Sequence, residues 1–109
     1  MHKEIYKRLR QVARANQIIT YSKIAPMANL DMENPDHRKQ IGEILGAISE
    51  REFKKGRPLL SAVVVHLDNN RPGKGFFNLA EELGIYDGTD DLAFHIQELD
   101  KVHKYWKKS

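Results

Sequence analysis

Apolar residues return along the first part of the chain at helical intervals. Ile5, Leu9 and Val12 predict an amphipathic helix over residues 3–15, with basic residues on the opposite face. Ile18 and Ile19 predict a very short extended piece. Thr20 is placed to cap a second helix from Tyr21, with Ile24 and Ala25 turned inward; Pro26 should keep it short or bend its end. Asn34-Pro35 predicts a third helix start, since the asparagine supplies a capping oxygen and the proline fits the first helical position. This helix continues through Ile41, Ile44, Leu45 and Ile48 to a basic end and glycine stop at Lys55-Gly56. Gly42, Gly46 and Ser49 share one side of it. Each glycine costs roughly 1 kcal/mol relative to alanine, so they imply another backbone packed close.

Residues 59–67 form a β-rich apolar run and predict a buried strand. Residues 68–75 predict a turn-rich basic loop, after which Phe76 and Phe77 re-enter the core. A short helix through Leu79, Ala80 and Leu83 should end at Gly84. Thr89, followed by Asp90 and Asp91, is placed to cap a last helix with an apolar stripe of Leu92, Ile96, Leu99, Val102 and Trp106. Lys107 and Lys108 would complement its C-terminal dipole. The pattern predicts one α+β domain over residues 1–109: a winged helix-turn-helix core in residues 1–77 and a C-terminal helical extension in 78–109. That extension is expected to pack on its own core, which favours a monomer over a dimer.

Composition narrows the classes. The 109 residues suit one core, and 40% apolar content is that of a folded chain. No apolar run is long enough to span a bilayer, and the charged start does not read as a signal peptide, so a cytoplasmic protein is expected. The chain has no cysteine, which excludes disulfides, thiol nucleophiles and thiolate metal sites. Net charge is only +3, but residues 1–24 carry six Lys or Arg against the single acid Glu4. Residues 81–100 carry seven acids and no Lys or Arg. Such a division can offer a basic face to an anionic partner, or simply reflect segregated helix surfaces.

A first helix, a short helix, a longer helix and a hairpin with a basic tip is the order of a winged helix-turn-helix. There the longer helix enters the major groove by its N-terminal end, and the wing reaches phosphates or the minor groove. Double-stranded DNA is the expected partner. Arg38, Lys39 and Gln40 would meet bases or phosphates, Arg71 and Lys74 would sit in the wing, and Tyr21 and Lys23 would hold the backbone. Tyr21 could equally pack beneath the helix. Asp31, Glu33 and Asp36 oppose phosphate near the same helix start.

The segment Ile18-Ile19-Thr20-Tyr21-Ser22-Lys23-Ile24-Ala25 resembles the V-x-T-Y-G-x-I-A segment that opens the helix-turn-helix of alkylguanine-DNA alkyltransferases and alkyltransferase-like proteins. Arg38-Lys39-Gln40-Ile41-Gly42 is similar to that family's A-R-A-V-G recognition-helix segment. Gly56-Arg57-Pro58-Leu59 through Val65-His66 is similar to its N-P-x-P-x-x-x-P-C-H-R strand. The likeness covers roughly residues 18–77 and implies a DNA-binding scaffold. At the family's cysteine stands Val65, with Val64 for the proline and Leu67 for the arginine; His66 matches. Without a thiolate acceptor, alkyl transfer is excluded. Ser22 replaces a glycine, and Lys39 stands where the family inserts an arginine into the base stack, which puts base flipping in question. The run from Arg57 to Val65 with Pro72-Gly73-Lys74-Gly75-Phe76 also resembles small uncharacterised prokaryotic proteins, a likeness that implies no activity.

Other chemistry fares worse. No histidine pair has metal-ligand spacing, so no metal or cofactor is expected, and His66, His95 and His103 read as structural. Pro35-Asp36 and Glu52-Phe53-Lys54 imitate nuclease letters but fall on the long predicted helix. Ser61, His66 and Asp68 cannot form a triad if they share one strand, because Ser61 and His66 would face opposite ways. Gly73-x-Gly75 is too short a motif for a phosphate cradle. The expectation is a non-enzyme that binds DNA, in regulation, damage sensing or defence. The alternative is a protein-interaction module (inhibitor, immunity or assembly factor) that uses the acidic C-terminal half or the last helix.

Overall fold

Local signals at the chain's helix ends are realised first. In a computed structural model that describes residues 1–107, helix α1 (Lys3–Arg14) buries Ile5, Leu9, Val12 and Ala13 and keeps most of its cations outside. Its first turn is capped by His2, whose Nδ1 accepts from the Ile5 N–H at 3.2 Å. Strand β1 (Ile19–Thr20) leads directly into the four-residue helix α2 (Tyr21–Ile24). Thr20 has the extended backbone of a cap, but its side chain makes no capping bond. A 3₁₀ turn over Ala25–Ala28 follows, with Pro26 at its start, and Asn29 ends it in the left-handed region at φ 58°.

Helix α3 (Pro35–Lys54) begins where Asn34 predicts. The Asn34 Oδ1 accepts from the N–H groups of Asp36 at 2.9 Å and His37 at 3.4 Å. Gly56, at φ 75°, stops the chain from continuing as helix, a conformation that favours glycine.

Residues 59–67 depart from the expected strand. Leu60–Val63 coil into a 3₁₀ turn, and only Val64–Val65 (β2) are extended. Strand β2 pairs with β1 in parallel, Ile19 opposite Val64 and Thr20 opposite Val65. The run is buried as far as Val65, with Leu59, Leu60 and residues 62–65 fully inaccessible, but Leu67 at its end is 81% exposed, against the expectation. Its backbone, however, is satisfied by side chains. Leu59 N–H donates to Glu98 Oε2 at 2.8 Å, and Ser61 N–H donates to Ser49 Oγ at 3.0 Å. The Ala62 carbonyl bonds His95 Nε2 at 2.9 Å. A buried peptide group left unpaired costs about 1–3 kcal/mol, so a two-residue partner strand could not have held a nine-residue one.

The basic loop is shorter than expected. Helix α4 (Lys74–Glu82) starts at Lys74, and Phe76 and Phe77 reach the core from a helix, not from a return strand. Among the described residues there is no antiparallel hairpin, and the sheet has two parallel strands. Gly84, at φ 78°, ends this region, and Asp90 caps the last helix in place of Thr89, its Oδ1 accepting from Ala93 N–H at 3.0 Å.

Helix α5 (Asp91–Lys107) buries His95, Glu98, Val102 and Trp106. Leu92 and Ile96, expected in its apolar stripe, are 44% and 56% exposed. The helix is rotated so that His95 and Glu98 can reach the 59–62 backbone. Lys107 lies in its last turn, and Lys108 falls outside the described residues. The result is a mainly helical α+β domain: α1, α3 and α5 pack around the buried 3₁₀ turn, and α4 lies against α3. No helix among the described residues is long and apolar enough to cross a membrane.

Candidate functional site

A hollow of about 240 Å³ opens between the first half of α3 and the start of α4. Its walls include Tyr21, Ile41, Leu45, His66 and Phe76, and Arg38, Ser61 and Lys74 supply polar groups. Gly42, Gly46, Gly73 and Gly75 also line it. Glycines 42 and 46 do not serve close packing, because a Cβ placed on either would find no atom within 4 Å. They leave space. Gly73 is the close-approach position: a Cβ there would come within 3.3 Å of His66 Nε2 and 3.4 Å of the Tyr21 hydroxyl.

Tyr21 organises the wall. Its hydroxyl accepts from Gly73 N–H at 2.7 Å, and its ring stacks on His66 with centroids 4.5 Å apart. Burial pushes the phenol upward, and the Gly73 bond partly counters that shift. At 9% exposure Tyr21 packs beneath the surface, although one side of its ring faces the hollow. The Ser61 and Ser49 hydroxyls sit 2.6 Å apart.

Three of the seven sequence-predicted residues, Tyr21, Arg38 and Lys74, therefore meet at one opening. Arg38 is exposed but anchored: Nε donates to the Met32 carbonyl at 2.6 Å and Nη2 to that of Glu33 at 3.2 Å. Lys23, Lys39 and Gln40 project from α2 and α3 into solvent. Arg71 is half-buried in the 66–73 connection, and Lys74 is the first residue of α4, so neither occupies a hairpin tip. Ser61 and His66 line the same hollow, because the 3₁₀ turn cancels the strand parity that had set them apart. Asp68 lies on the exposed loop and is not among the lining residues.

Sequence reasoning set Ser61, His66 and Gly73 aside as a failed triad, a structural histidine and a turn, and it missed the open role of Gly42 and Gly46. The available signal was the i, i+4 glycine pair on a helix face. Among the described residues, no three His, Asp or Glu side chains gather as a metal site. Val65, at the position of the alkyl acceptor in the resemblance, is fully buried in β2. No known protein-family profile, curated protein or solved structure matches the chain.

Proposed function

We propose that this protein binds duplex DNA without catalysing a reaction on it, and that the hollow beside α3 receives one unstacked base. In this reading α2 and α3 act as the helix-turn-helix, with Lys23, Lys39 and Gln40 on the outer face. The 66–73 connection takes the place of a wing. The carrying observation is the hollow itself: Gly42 and Gly46 keep a helix face open at a cost of roughly 1 kcal/mol each in propensity. Its size lies below the roughly 300–1,000 Å³ of sites for drug-sized ligands, which suits a single ring system against aromatic walls. The resemblance to alkyltransferase-like proteins supports duplex binding alone; the place for a base rests on the hollow, since Lys39 stands where that family inserts an arginine.

Fluorescence anisotropy with a short duplex, titrated with salt, tests it. Lys23→Ala and Lys39→Ala should each weaken binding and flatten the salt slope by up to about 0.9. Arg38→Ala is a poorer probe, since Arg38 also holds the 31–33 turn. Filling the hollow with Gly46→Leu should abolish any preference for a duplex with a mismatched or modified base and leave non-specific affinity intact. Absence of salt-dependent duplex binding would refute the proposal. Incubation with alkylguanine DNA should add no alkyl mass to the protein, because an aliphatic Val65 offers no nucleophile.

A second reading, protein interaction, draws on Leu92 and Ile96, exposed on α5 within the acidic 81–100 segment. Loss of a partner on Ile96→Lys, with duplex binding absent, would favour it.

A further inference from the structure

Four cations of α1 fall into one row. Lys3, Lys7, Arg10 and Arg14 stand at i, i+4, i+7 and i+11, which at about 100° per residue places them within about 60° of one another around the helix. The row is roughly 16 Å long. Glu4, the only acid of the helix, is turned about 100° away from Lys3 and lies outside it. Lys3, Lys7 and Arg14 are exposed and Arg10 is half-buried. Among the described residues Lys3, Lys7 and Arg10 form no ion pair. Aromatic rings, not carboxylates, steady the row. The Arg10 guanidinium lies 4.7 Å over the Tyr6 ring, and its Nε is buried without a hydrogen-bond partner. Tyr6 is fixed in turn, its hydroxyl donating to the buried Glu52 at 3.3 Å. At the far end Arg14 and Arg57 both lie over the Trp106 ring, 5.7 and 6.0 Å from its centroid. Tyr105 stands edge-on to that ring, with centroids 5.2 Å apart, and is 43% exposed. No residue of α1 lines the hollow. Met1 and His2, just ahead of α1, border Gln40, Glu43 and Ile44 instead, on the opposite side of α3 from Arg38, Gly42 and Gly46.

We propose that the α1 row is a second nucleic-acid surface, and that it binds a single strand: its cations follow the phosphates, and Tyr105 at its end stacks on a base. Phosphates succeed one another about every 3.4 Å along a stacked strand, so the row runs beside about five of them. A positive track joined to an aromatic face is the general means of holding a single strand without reading its sequence. In a paired duplex the base faces are covered, and Tyr105 would have nothing to stack on. An acidic protein would match the charge but offer the ring no base. The proposal stands apart from the duplex reading above, because the two surfaces share no residue. Two roles are separable within the row: the cations set the salt dependence, and Tyr105 adds affinity that salt does not screen.

The test uses the full chain and a fluorescein-labelled oligo-dT, which has no paired structure, followed by anisotropy across a salt series. Wild type should bind with a slope of log K against log salt of about −2.8, at about −0.7 for each of four phosphates. A Lys3→Ala/Lys7→Ala double variant should flatten that slope by about 1.4. Tyr105→Ala should weaken binding about fivefold or more with the slope unchanged, and Tyr105→Phe should restore it. Lys3 and Lys7 are exposed and make no ion pair, so an unchanged thermal midpoint is expected and shows the fold intact. Lys23→Ala and Lys39→Ala, which probe the duplex reading, should leave oligo-dT affinity within about twofold. Binding of oligo-dT that survives the α1 variant but falls with Lys23→Ala and Lys39→Ala overturns the second surface and leaves the duplex reading standing. Duplex binding with no binding of oligo-dT does the same. Binding of oligo-dT through α1 without binding of duplex supports the second surface and refutes the duplex reading alone. Poly-glutamate, an acidic chain without bases, should compete poorly. Equal competition at equal charge, with no effect of Tyr105→Ala, would assign the row to an acidic protein partner and refute the proposal.

Discussion

Replacing Glu98 by leucine on α5 should destabilise the domain far more than replacing Ile96, two residues earlier, by serine. An apolar-stripe reading ranks the two the other way. Glu98 is 3% exposed, and its Oε2 takes the Leu59 N–H at 2.8 Å while Oε1 lies 3.8 Å from Lys101 Nζ. A hydrogen bond to a charged partner contributes about 1.5–3 kcal/mol, and its removal leaves the buried Leu59 amide unpaired. Relief of the carboxylate's own desolvation offsets part of this loss, so about 2 kcal/mol is expected for Glu98→Leu. Glu98→Gln keeps an acceptor oxygen and should lose less. Ile96 is already 56% exposed, so removing it forfeits less than half of the roughly 1.5–3 kcal/mol for complete burial, or at most about 1 kcal/mol. Urea unfolding of both variants, with m-values checked for equality, measures the difference. If Ile96→Ser proved the more damaging, the rotation of α5 described above would be wrong, and with it the account of how residues 59–62 are held.

Gly46→Ala should stabilise the domain by roughly 0.5–1 kcal/mol in the same assay, because the new methyl meets no atom within 4 Å; destabilisation would mean that neighbours fill that space. Arg57→Met should cost about 3–5 kcal/mol, because the Glu52 carboxylate is fully buried and would lose the guanidinium Nε at 3.1 Å, keeping only the Tyr6 hydroxyl. A Glu52→Met/Arg57→Met double variant should recover most of that loss. Burial, with a smaller effect of the Arg71 charge, holds the His95 imidazole below its ordinary value of 6.5. The unfolded chain then binds the proton more readily, so this contribution is complete above about pH 6.5 and declines as pH falls through the lower folded value. His95→Gln should make urea midpoints less sensitive to acid between about pH 7 and about pH 5; an unaltered pH dependence would exclude His95 as its source.

Which features were legible follows from how local their causes are. Asn34-Pro35 and Gly56 announce the ends of α3 because capping and left-handed geometry are decided within a few residues. The 59–67 run was misread because the three groups that shape it, Ser49, His95 and Glu98, are distant in sequence and polar. An apolar stripe passes over such groups. The same omission misplaced Leu92 and Ile96. The start of α4 was misread as a hairpin tip because Gly73 and Gly75 suggest a turn, although Phe76 and Ala80 already stand at helical spacing and are both buried. At the site, Tyr21, Arg38 and Lys74 were found individually, but the cavity they share depends on the parallel pairing of β1 with β2. That pairing joins residues more than forty positions apart.

The state of the hollow's polar groups bears on what it can do. Ser61 is 5% exposed, and its hydroxyl is committed to Ser49 at 2.6 Å, so nucleophilic use would first have to break a bond that also steadies the 3₁₀ turn. The Tyr21 hydroxyl is occupied by Gly73 N–H, and the His66 ring is stacked on the tyrosine. What is left to face a guest is chiefly aromatic and aliphatic surface, with Arg38 and Lys74 among the lining residues. Recognition in such a space would rest on shape and stacking. A difference of one methylene in an apolar pocket is worth only about 1–3 kcal/mol, so discrimination among bases would be moderate. Under the proposed reading, a base already loosened by mismatch or modification is favoured because less stacking has to be surrendered before it enters. Selectivity would then arise as much in the DNA as in the protein.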